Sequence, residues 1–136
     1  MEKISSEIVY PTIEQIIDVN RRMIEISGGS FTPPDNFRNF SSLSYILVAI
    51  VYPIYGINLF STLIEKAAGL AYEIIASHIF LDGNKRTGLH IAWEFLKANG
   101  VEIYLDASAE EIALGIANKE ATRDDLVNWL INHIEH

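Results

Sequence analysis

Apolar residues recur at three- and four-residue spacing along most of this chain, the pattern of amphipathic α-helices. The first such run extends from Thr12 to Ile26 and meets the pair Gly28-Gly29, so it predicts a helix that ends there. Its apolar positions are Ile13, Ile16, Ile17 and Ile24. The following segment, Ser30 to Phe40, contains two prolines and two asparagines, a composition typical of an ordered loop.

Two further runs lie in the middle of the chain. Residues Leu43 to Tyr52 are predicted to form a helix ended by Pro53, although their β-branched content leaves a strand open. The run from Leu59 to Phe80 is longer and predicts a central helix, in which Ala67-Ala68 permits close contact with a neighbouring helix. Its apolar stripe comprises Leu63, Ala67, Leu70, Ala71, Ile74 and Ile75.

The next run, from Asn84 to Asn99, predicts another helix, and Gly100 supplies the left-handed residue that commonly ends one. The inner positions of this run are Leu89, Ala92, Trp93 and Leu96. Three apolar residues that alternate with polar or aromatic ones then predict a short extended connection: Val101, Ile103 and Leu105.

The last part of the chain contains two signals for the start of a helix. Ser108 with Glu111 has the spacing of a capping box, and Thr122 with Asp125 forms a similar start. Two final helices are therefore predicted near residues 109–118 and 123–134. Strand signals are scarce and no repeat or linker interrupts the chain, so residues 1–136 are predicted to form one all-α domain, a compact helical bundle.

Composition narrows the classes of function. The chain has 136 residues and no cysteine, which excludes a disulfide scaffold, a thiolate zinc site and a cysteine nucleophile. Its formal net charge of -8 gives no long-range positive field, so general binding of DNA or RNA is not expected.

Two segments bear on location. The N-terminal stretch from Met1 to Tyr10 has no apolar run of signal-peptide length, so we expect a cytoplasmic protein. The segment from Asn39 to Ile64 has no charged residue and is long enough to suggest a membrane span. Its several serines, together with Pro53 and Gly56, instead favour a buried helix followed by a loop.

The segment Ser77 to Gly88, SHIFLDGNKRTG, concentrates the chemistry of the sequence between two predicted helices. Asp82-Gly83-Asn84 is a turn signature that can point successive backbone N–H groups into one concavity, where the next helix also begins. With Lys85 and Arg86 beside it, this turn predicts a phosphate site. Asp82 beside bound phosphates fits a ligand of Mg²⁺ shared with a nucleotide.

His78 lies four residues before Asp82. If the preceding helix extends that far, both side chains project toward the same mouth, and a neutral imidazole there can take the proton of an attacking hydroxyl. Phe80 then anchors the loop to the core. Taken singly, a histidine at a helix end and an Asp-Gly-Asn-Lys turn are ordinary structural features, and only their combination favours a site.

Two other kinds of site fit less well. The glycine spacing is not that of a Walker A loop, because Asn84 separates Gly83 from Lys85. A zinc site is weak, because His78 and Asp82 give two ligands without an evident third, although His90 is one helix away. We expect three histidines to be structural or on the surface: His90, His133 and His136.

The run HIFLDGNKRTG, followed by FLKANG, resembles the signature of the Fic/Doc superfamily, and in particular its death-on-curing (Doc) branch. The resemblance extends upstream through Glu65-Lys66-Ala67-Ala68. It implies a compact bundle of α-helices, with His78 as general base and Asp82 as the metal-associated acid. It also implies ATP as substrate and Mg²⁺ as cofactor, with a phosphate-binding set of Gly83, Asn84, Lys85, Arg86 and Thr87.

Lys85 is the informative departure within this superfamily. In the branch that transfers a nucleotide monophosphate, this position is glycine and a second arginine stands where this chain has Leu89. Both differences disfavour AMP transfer, and a lysine supplies a charge for a terminal phosphate. The resemblance therefore implies a kinase with Lys85 among its catalytic residues, acting on a threonine of elongation factor Tu. Ile79, where the superfamily usually has proline, also favours the Doc branch.

Control of such an enzyme is expected to come from a partner. The self-inhibitory pattern [ST]xxxE[GN] is missing, since Ser61 and Glu65 have its spacing but Lys66 follows. The resemblance implies a Phd-like antitoxin, to which the charge-free stretch from Tyr45 to Phe60 can contribute a groove unless it is simply core. An AMP transferase and a catalytically silent phosphate-binding module remain the alternatives.

Overall fold

The computed structural model describes residues 7–136, and this part of the chain folds into six α-helices. The described residues contain three isolated β-bridges and no longer strand, so the prediction of an all-α fold is confirmed. The helices are α1 (Ile13–Ser27), α2 (Phe40–Ala49), α3 (Leu63–Ala76), α4 (Asn84–Ala98), α5 (Ser108–Ala117) and α6 (Arg123–Asn132).

Helices α3 and α4 form the centre of the bundle and pack along each other. Helix α1 packs against α4, helices α2 and α6 pack against α3, and α5 contacts both central helices. The predicted apolar stripe of α3 is buried throughout, and on α4 only Trp93 of the predicted inner positions is partly exposed. The buried apolar side chains form one cluster that reaches all six helices, and removing them from water is the main stabilising contribution.

The central helix α3 is shorter than the sequence pattern predicted. It begins at Leu63 rather than Leu59, because Thr62 caps it: the Thr62 hydroxyl accepts from the Glu65 N–H, and the Glu65 carboxylate accepts from the Thr62 N–H. It ends at Ala76 rather than Phe80. His78 has a left-handed φ of 48°, which is incompatible with a continuing helix. The preceding helix therefore does not extend to His78, as the sequence argument for His78 and Asp82 had required.

The other helices agree with the predicted positions to within a few residues. Helix α1 is capped by Thr12, and α6 by the predicted pair of Thr122 and Asp125. Most of the segment predicted as residues 43–52 is helical rather than a strand, but α2 begins earlier, at Phe40, and ends at Ala49, before Pro53. The short extended connection is confirmed at Ile103, which pairs with Ile134.

The start of α5 corrects one prediction. Ser108 is the first helical residue rather than the cap, and no side chain of the N-cap residue makes a capping bond. Asp106 accepts from both the backbone N–H and the hydroxyl of Ser108. The hydroxyl hydrogen bond is the main reason that the pKa of Asp106 lies below its usual value. Ser108 also contacts His133, which is buried and stacks on Trp129, so His133 has the expected structural role.

Lys66 was not predicted to be buried, yet it is among the largest fully buried side chains. Its ammonium group donates to the carbonyl oxygen of Ile50, just past the end of α2, and lies 5.8 Å from the ring centroid of Tyr10. Burial disfavours the charged form and lowers the pKa of Lys66 below its usual value. Lys66 therefore fastens the end of α2 to the central helix.

The segment without charged residues does not form a membrane helix. None of the helices in residues 7–136 is long and apolar enough to cross a bilayer. Part of the segment packs into the core as predicted, but several of its large apolar side chains are exposed, among them Tyr45, Tyr52, Tyr55 and Ile57. The N-terminal stretch that led to the expectation of a cytoplasmic location lies mostly outside the described residues.

Candidate active site

The loop from Ser77 to Gly83 connects the two central helices and is held by the side chain of Asn84. The Asn84 amide donates to the carbonyl oxygen of Phe80 at 2.8 Å and accepts from the Phe80 N–H at 2.9 Å, which closes the loop into a ring. Phe80 is fully buried and stacks on Phe37 with ring centroids 5.2 Å apart. Phe80 therefore anchors the loop as predicted, and the Asn84 side chain holds the shape of the loop.

Helix α4 begins directly after this loop, without a side-chain cap. Its N-cap residue, Gly83, has a left-handed φ of 80°. The first turn carries no acidic residue but contains Lys85 and Arg86. A helix N-terminus has unpaired N–H groups and partial positive charge, which favour acidic side chains. Two basic side chains at this position are therefore electrostatically unfavourable for the helix alone. Such an arrangement is stabilised when an anion binds to it.

A recess of about 190 Å³ lies at this helix start. The structure brings His78 and Asp82 to the same recess even though His78 is outside α3, because the left-handed turn at His78 redirects the chain. His78 is exposed, so its ring is accessible to a hydroxyl group that enters the recess. The lining residues are Ile75, His78, Leu81, Asp82, Gly83, Asn84, Lys85 and Ala117.

The carboxylate of Asp82 is held by two backbone donors. One of its oxygens accepts from the Ser30 N–H at 3.0 Å, and the other accepts from the Gly83 N–H at 2.9 Å. Ser30 belongs to the loop after α1, which packs so closely that a Cβ atom on Gly29 would lie 2.6 Å from the carboxylate. These contacts fix the direction in which Asp82 presents its oxygens.

Asp82 is suited to a cation that takes one ligand from the protein and the others from water or substrate. Among the described residues, no group of three or more histidine or acidic side chains is placed to hold a metal. Mg²⁺ is commonly bound through one or two carboxylates together with water and substrate phosphates. A single oriented carboxylate beside an uncapped helix start therefore fits Mg²⁺ shared with a nucleotide.

Lys85 and Arg86 are adjacent in sequence, but only Lys85 lines the recess. Lys85 lines both the recess and a neighbouring groove of about 520 Å³ between α1, α4 and α5, and within the described residues its ammonium group has no partner. Arg86 lines only the groove, where it lies 3.9 Å from Glu110. His90 lines the same groove and pairs with Glu94, so it takes no part in the recess.

Thr87 is the predicted phosphate-binding residue that the structure places behind the first turn of α4, away from the lining of the recess. Its side chain is fully buried and its hydroxyl accepts from the amide of Asn20 at 3.1 Å. Its backbone N–H donates to the carbonyl oxygen of Gly83 within the helix. Position 87 lies on the inner side of the first turn, so the hydroxyl faces the core rather than the recess.

The sequence interpretation missed two buried asparagines behind the loop. Asn20 on α1 donates to the carbonyl oxygen of Asp82 at 2.9 Å, and Asn36 donates to Asn20 at 2.9 Å. The carbonyl oxygen of Asn36 also accepts from the Leu81 N–H. A signal for Asn20 existed in the sequence, since it lies four residues from both Ile16 and Ile24 on the buried stripe of α1. No comparable pattern marks Asn36.

Comparison with known proteins identifies the class to which this fold and site belong. The family model described as Fic/DOC family matches residues 10–96, which is more than half of the chain and includes the whole motif loop. The chain therefore belongs to the Fic/DOC family.

Two curated relatives are both called Doc. The chain is 39% identical over 71 residues to Toxin Doc of Mycolicibacterium smegmatis, which covers 52% of this chain and 54% of that protein. It is 32% identical over 68 residues to Protein kinase doc of Escherichia phage P1, which covers 50% of this chain and 54% of that protein. The chain thus spans about half the length of the curated relatives it matches, and the predicted resemblance to the Doc branch is confirmed.

Proposed function

We propose that this chain is a Doc-type toxin of a toxin–antitoxin pair, which transfers the γ-phosphoryl group of ATP to a hydroxyl group of a protein target. By resemblance, the target hydroxyl belongs to a threonine of elongation factor Tu. The observation that carries the proposal is the meeting of His78, Asp82 and Lys85 at one recess, at the start of a helix with no cap of its own. The relative from phage P1 is named a protein kinase, which supports phosphoryl transfer.

Each residue of the recess has a task in this reaction. The target hydroxyl gives its proton to His78 while its oxygen bonds to the γ-phosphorus. The bond between the γ-phosphorus and the bridging oxygen breaks, and ADP leaves. Lys85 pairs with the terminal phosphates, and the N–H groups of the first turn of α4 donate to phosphate oxygens. Asp82 would hold Mg²⁺, which would supply neutralisation of the phosphate charge.

Lys85 favours this reaction over AMP transfer. Its ammonium group reaches the recess, where it occupies space beside the helix start and meets charge on a terminal phosphate. Leu89, at the place where AMP transferases have a second arginine, is buried and apolar. A nucleotide held for AMP transfer would therefore lack one of its phosphate contacts.

A silent phosphate-binding module explains less of the site. Binding a phosphate at a helix start needs neither an exposed histidine nor an oriented carboxylate, and this recess has both. The toxin role and its control by a Phd-like antitoxin rest on the resemblance and on the relative named Toxin Doc. The exposed aromatic side chains at Tyr45, Tyr52 and Tyr55 offer apolar surface for such a partner.

One experiment separates the three candidates. The purified protein is incubated with a bacterial extract containing elongation factor Tu and with ATP labelled at either the α- or the γ-phosphate, with Mg²⁺ or with a chelator. Transfer of γ-label that requires Mg²⁺ is expected. Transfer of α-label would establish an AMP transferase instead, and ATP binding without transfer of either label would establish a silent module.

A further inference from the structure

We infer that Asn20, on α1, is a positioning residue for the motif loop: it holds the carbonyl oxygen of Asp82 and thereby directs the Gly83 N–H toward the Asp82 carboxylate. Asn20 lies behind the loop and does not line the recess. The inference rests on the proposed function, because it explains how the carboxylate assigned to Mg²⁺ receives its direction.

Every hydrogen-bonding group of the Asn20 side chain is used. Its amide nitrogen donates to the carbonyl oxygen of Asp82 at 2.9 Å and to the hydroxyl of Thr87 at 3.1 Å. Its amide oxygen accepts from Asn36 at 2.9 Å. The side chain is fully buried, where an amide without partners is costly, so the network holds Asn20 in one orientation.

The link to the carboxylate runs through a single peptide group. The carbonyl of Asp82 and the N–H of Gly83 belong to the same planar peptide bond, which is trans. In a trans peptide these two groups point in opposite directions. Because Asn20 holds the carbonyl toward α1, the N–H of Gly83 points away from α1 and donates to the Asp82 carboxylate at 2.9 Å.

Packing alone does not account for an asparagine at this position. Asn20 occupies the buried stripe of α1 between Ile16 and Ile24, where an apolar side chain would bury surface without any need for hydrogen bonds. The amide instead connects three separate pieces of the site: the turn at Asp82, the first turn of α4, and the loop at Asn36. This connection is what a positioning role requires.

The test uses two variants and a matched control. Asn20→Asp keeps the shape of the side chain but removes both donors, and Asn20→Ala removes them without adding a charge, in case a buried carboxylate prevents folding. The control is Asn99→Asp, because Asn99 is also buried and its amide nitrogen also makes two hydrogen bonds, to the carbonyl oxygens of Val9 and Phe95, at the far end of α4.

The first measurement does not depend on activity. Amide NMR spectra of the full chain, without nucleotide or Mg²⁺, are expected to show a shifted Gly83 resonance and faster hydrogen exchange at Gly83 in both Asn20 variants but not in Asn99→Asp. An unchanged Gly83 amide in a folded Asn20→Ala variant would overturn the inference.

The second measurement is the Mg²⁺ dependence of γ-phosphate transfer. Loss of an outer partner of a metal ligand commonly costs 10- to 100-fold in metal affinity or activity, so the Mg²⁺ concentration for half-maximal transfer should rise about tenfold or more in the Asn20 variants only. An equal rise in Asn99→Asp would reduce Asn20 to a purely structural role. If the wild-type protein transfers no γ-label, the proposed function fails, and the Gly83 amide alone decides the positioning role.

Discussion

The loop after α1 lies tightly against Asp82 at Gly29, and this packing yields a sharp prediction. A Cβ atom on Gly29 would lie 2.6 Å from one carboxylate oxygen of Asp82, whereas real Cβ contacts essentially never fall below 3.0 Å. The Gly29→Ala substitution therefore forces the carboxylate or the loop to shift by several tenths of an ångström or more. It also weakens the hydrogen bond from the Ser30 N–H to the same oxygen.

The backbone cost of this substitution must be separated from the displacement of Asp82. Gly29 has a φ of 116° and Gly28 a φ of 88°, so alanine at either position adopts a strained conformation that costs roughly 1–3 kcal/mol. A Cβ atom on Gly28 meets nothing within 4 Å. Gly28→Ala is therefore a matched control that carries the strain without the contact.

The expected result is a difference in activity at similar stability. Displacement of a reacting or metal-binding group by about 1 Å can cost about 10² in rate, so Gly29→Ala should lose between tenfold and 10² of its Mg²⁺-dependent γ-phosphate transfer. Gly28→Ala should retain most of its activity. Its thermal midpoint should fall by about as much as that of Gly29→Ala, because both variants carry the same backbone strain. Both quantities are measured on the purified variants, by transfer of γ-label and by circular dichroism. Equal activity in the two variants would refute the argument that the loop after α1 sets the position of Asp82.

Four further outcomes are expected. His78→Ala should abolish transfer, with a loss of about 10² to 10⁴ in rate and an unchanged thermal midpoint, because the side chain is exposed and acts on a proton; full labelling by this variant would remove His78 from its role. Asp82→Asn should weaken ATP binding measured with Mg²⁺ more than binding measured with a chelator, since the amide lacks the charge that a cation needs, and equal losses would make Asp82 only a turn residue. Lys85→Gly should reduce γ-transfer on the order of 10² or more without creating α-transfer, because Leu89 cannot supply the missing arginine; unchanged γ-transfer contradicts the role of Lys85. The pKa of Lys66 is lowered by burial, so the unfolded chain binds more protons than the folded chain as pH rises toward the usual value of 10.5. Urea unfolding should therefore show the wild type gaining stability relative to Lys66→Met over that pH range, and a difference independent of pH would contradict it.

The sequence by itself determined the features that depend on neighbouring residues. Helix α1 and helix α6 follow from local apolar spacing and from caps formed by residues three positions apart. The turn at Asp82-Gly83-Asn84 and Lys85 are likewise contiguous, which is why the sequence could group residues that the structure places around one recess. The predicted end of α3 was wrong because His78 adopts a left-handed conformation, and a histidine does not signal this conformation in a sequence as glycine does.

Only the tertiary structure decided how these residues face one another. The Ser30 N–H reaches the Asp82 carboxylate across 52 positions of sequence, and Asn20 reaches the Asp82 carbonyl across 62. Lys66 and Ile50 are likewise joined only because α2 packs on α3. The position of Thr87 away from the recess has the same cause, since burial of its hydroxyl depends on where α1 docks against α4. Local spacing fixes which side of a helix a residue occupies, but its partner is fixed by the packing of elements distant in sequence, which minimises exposed apolar surface over the whole chain.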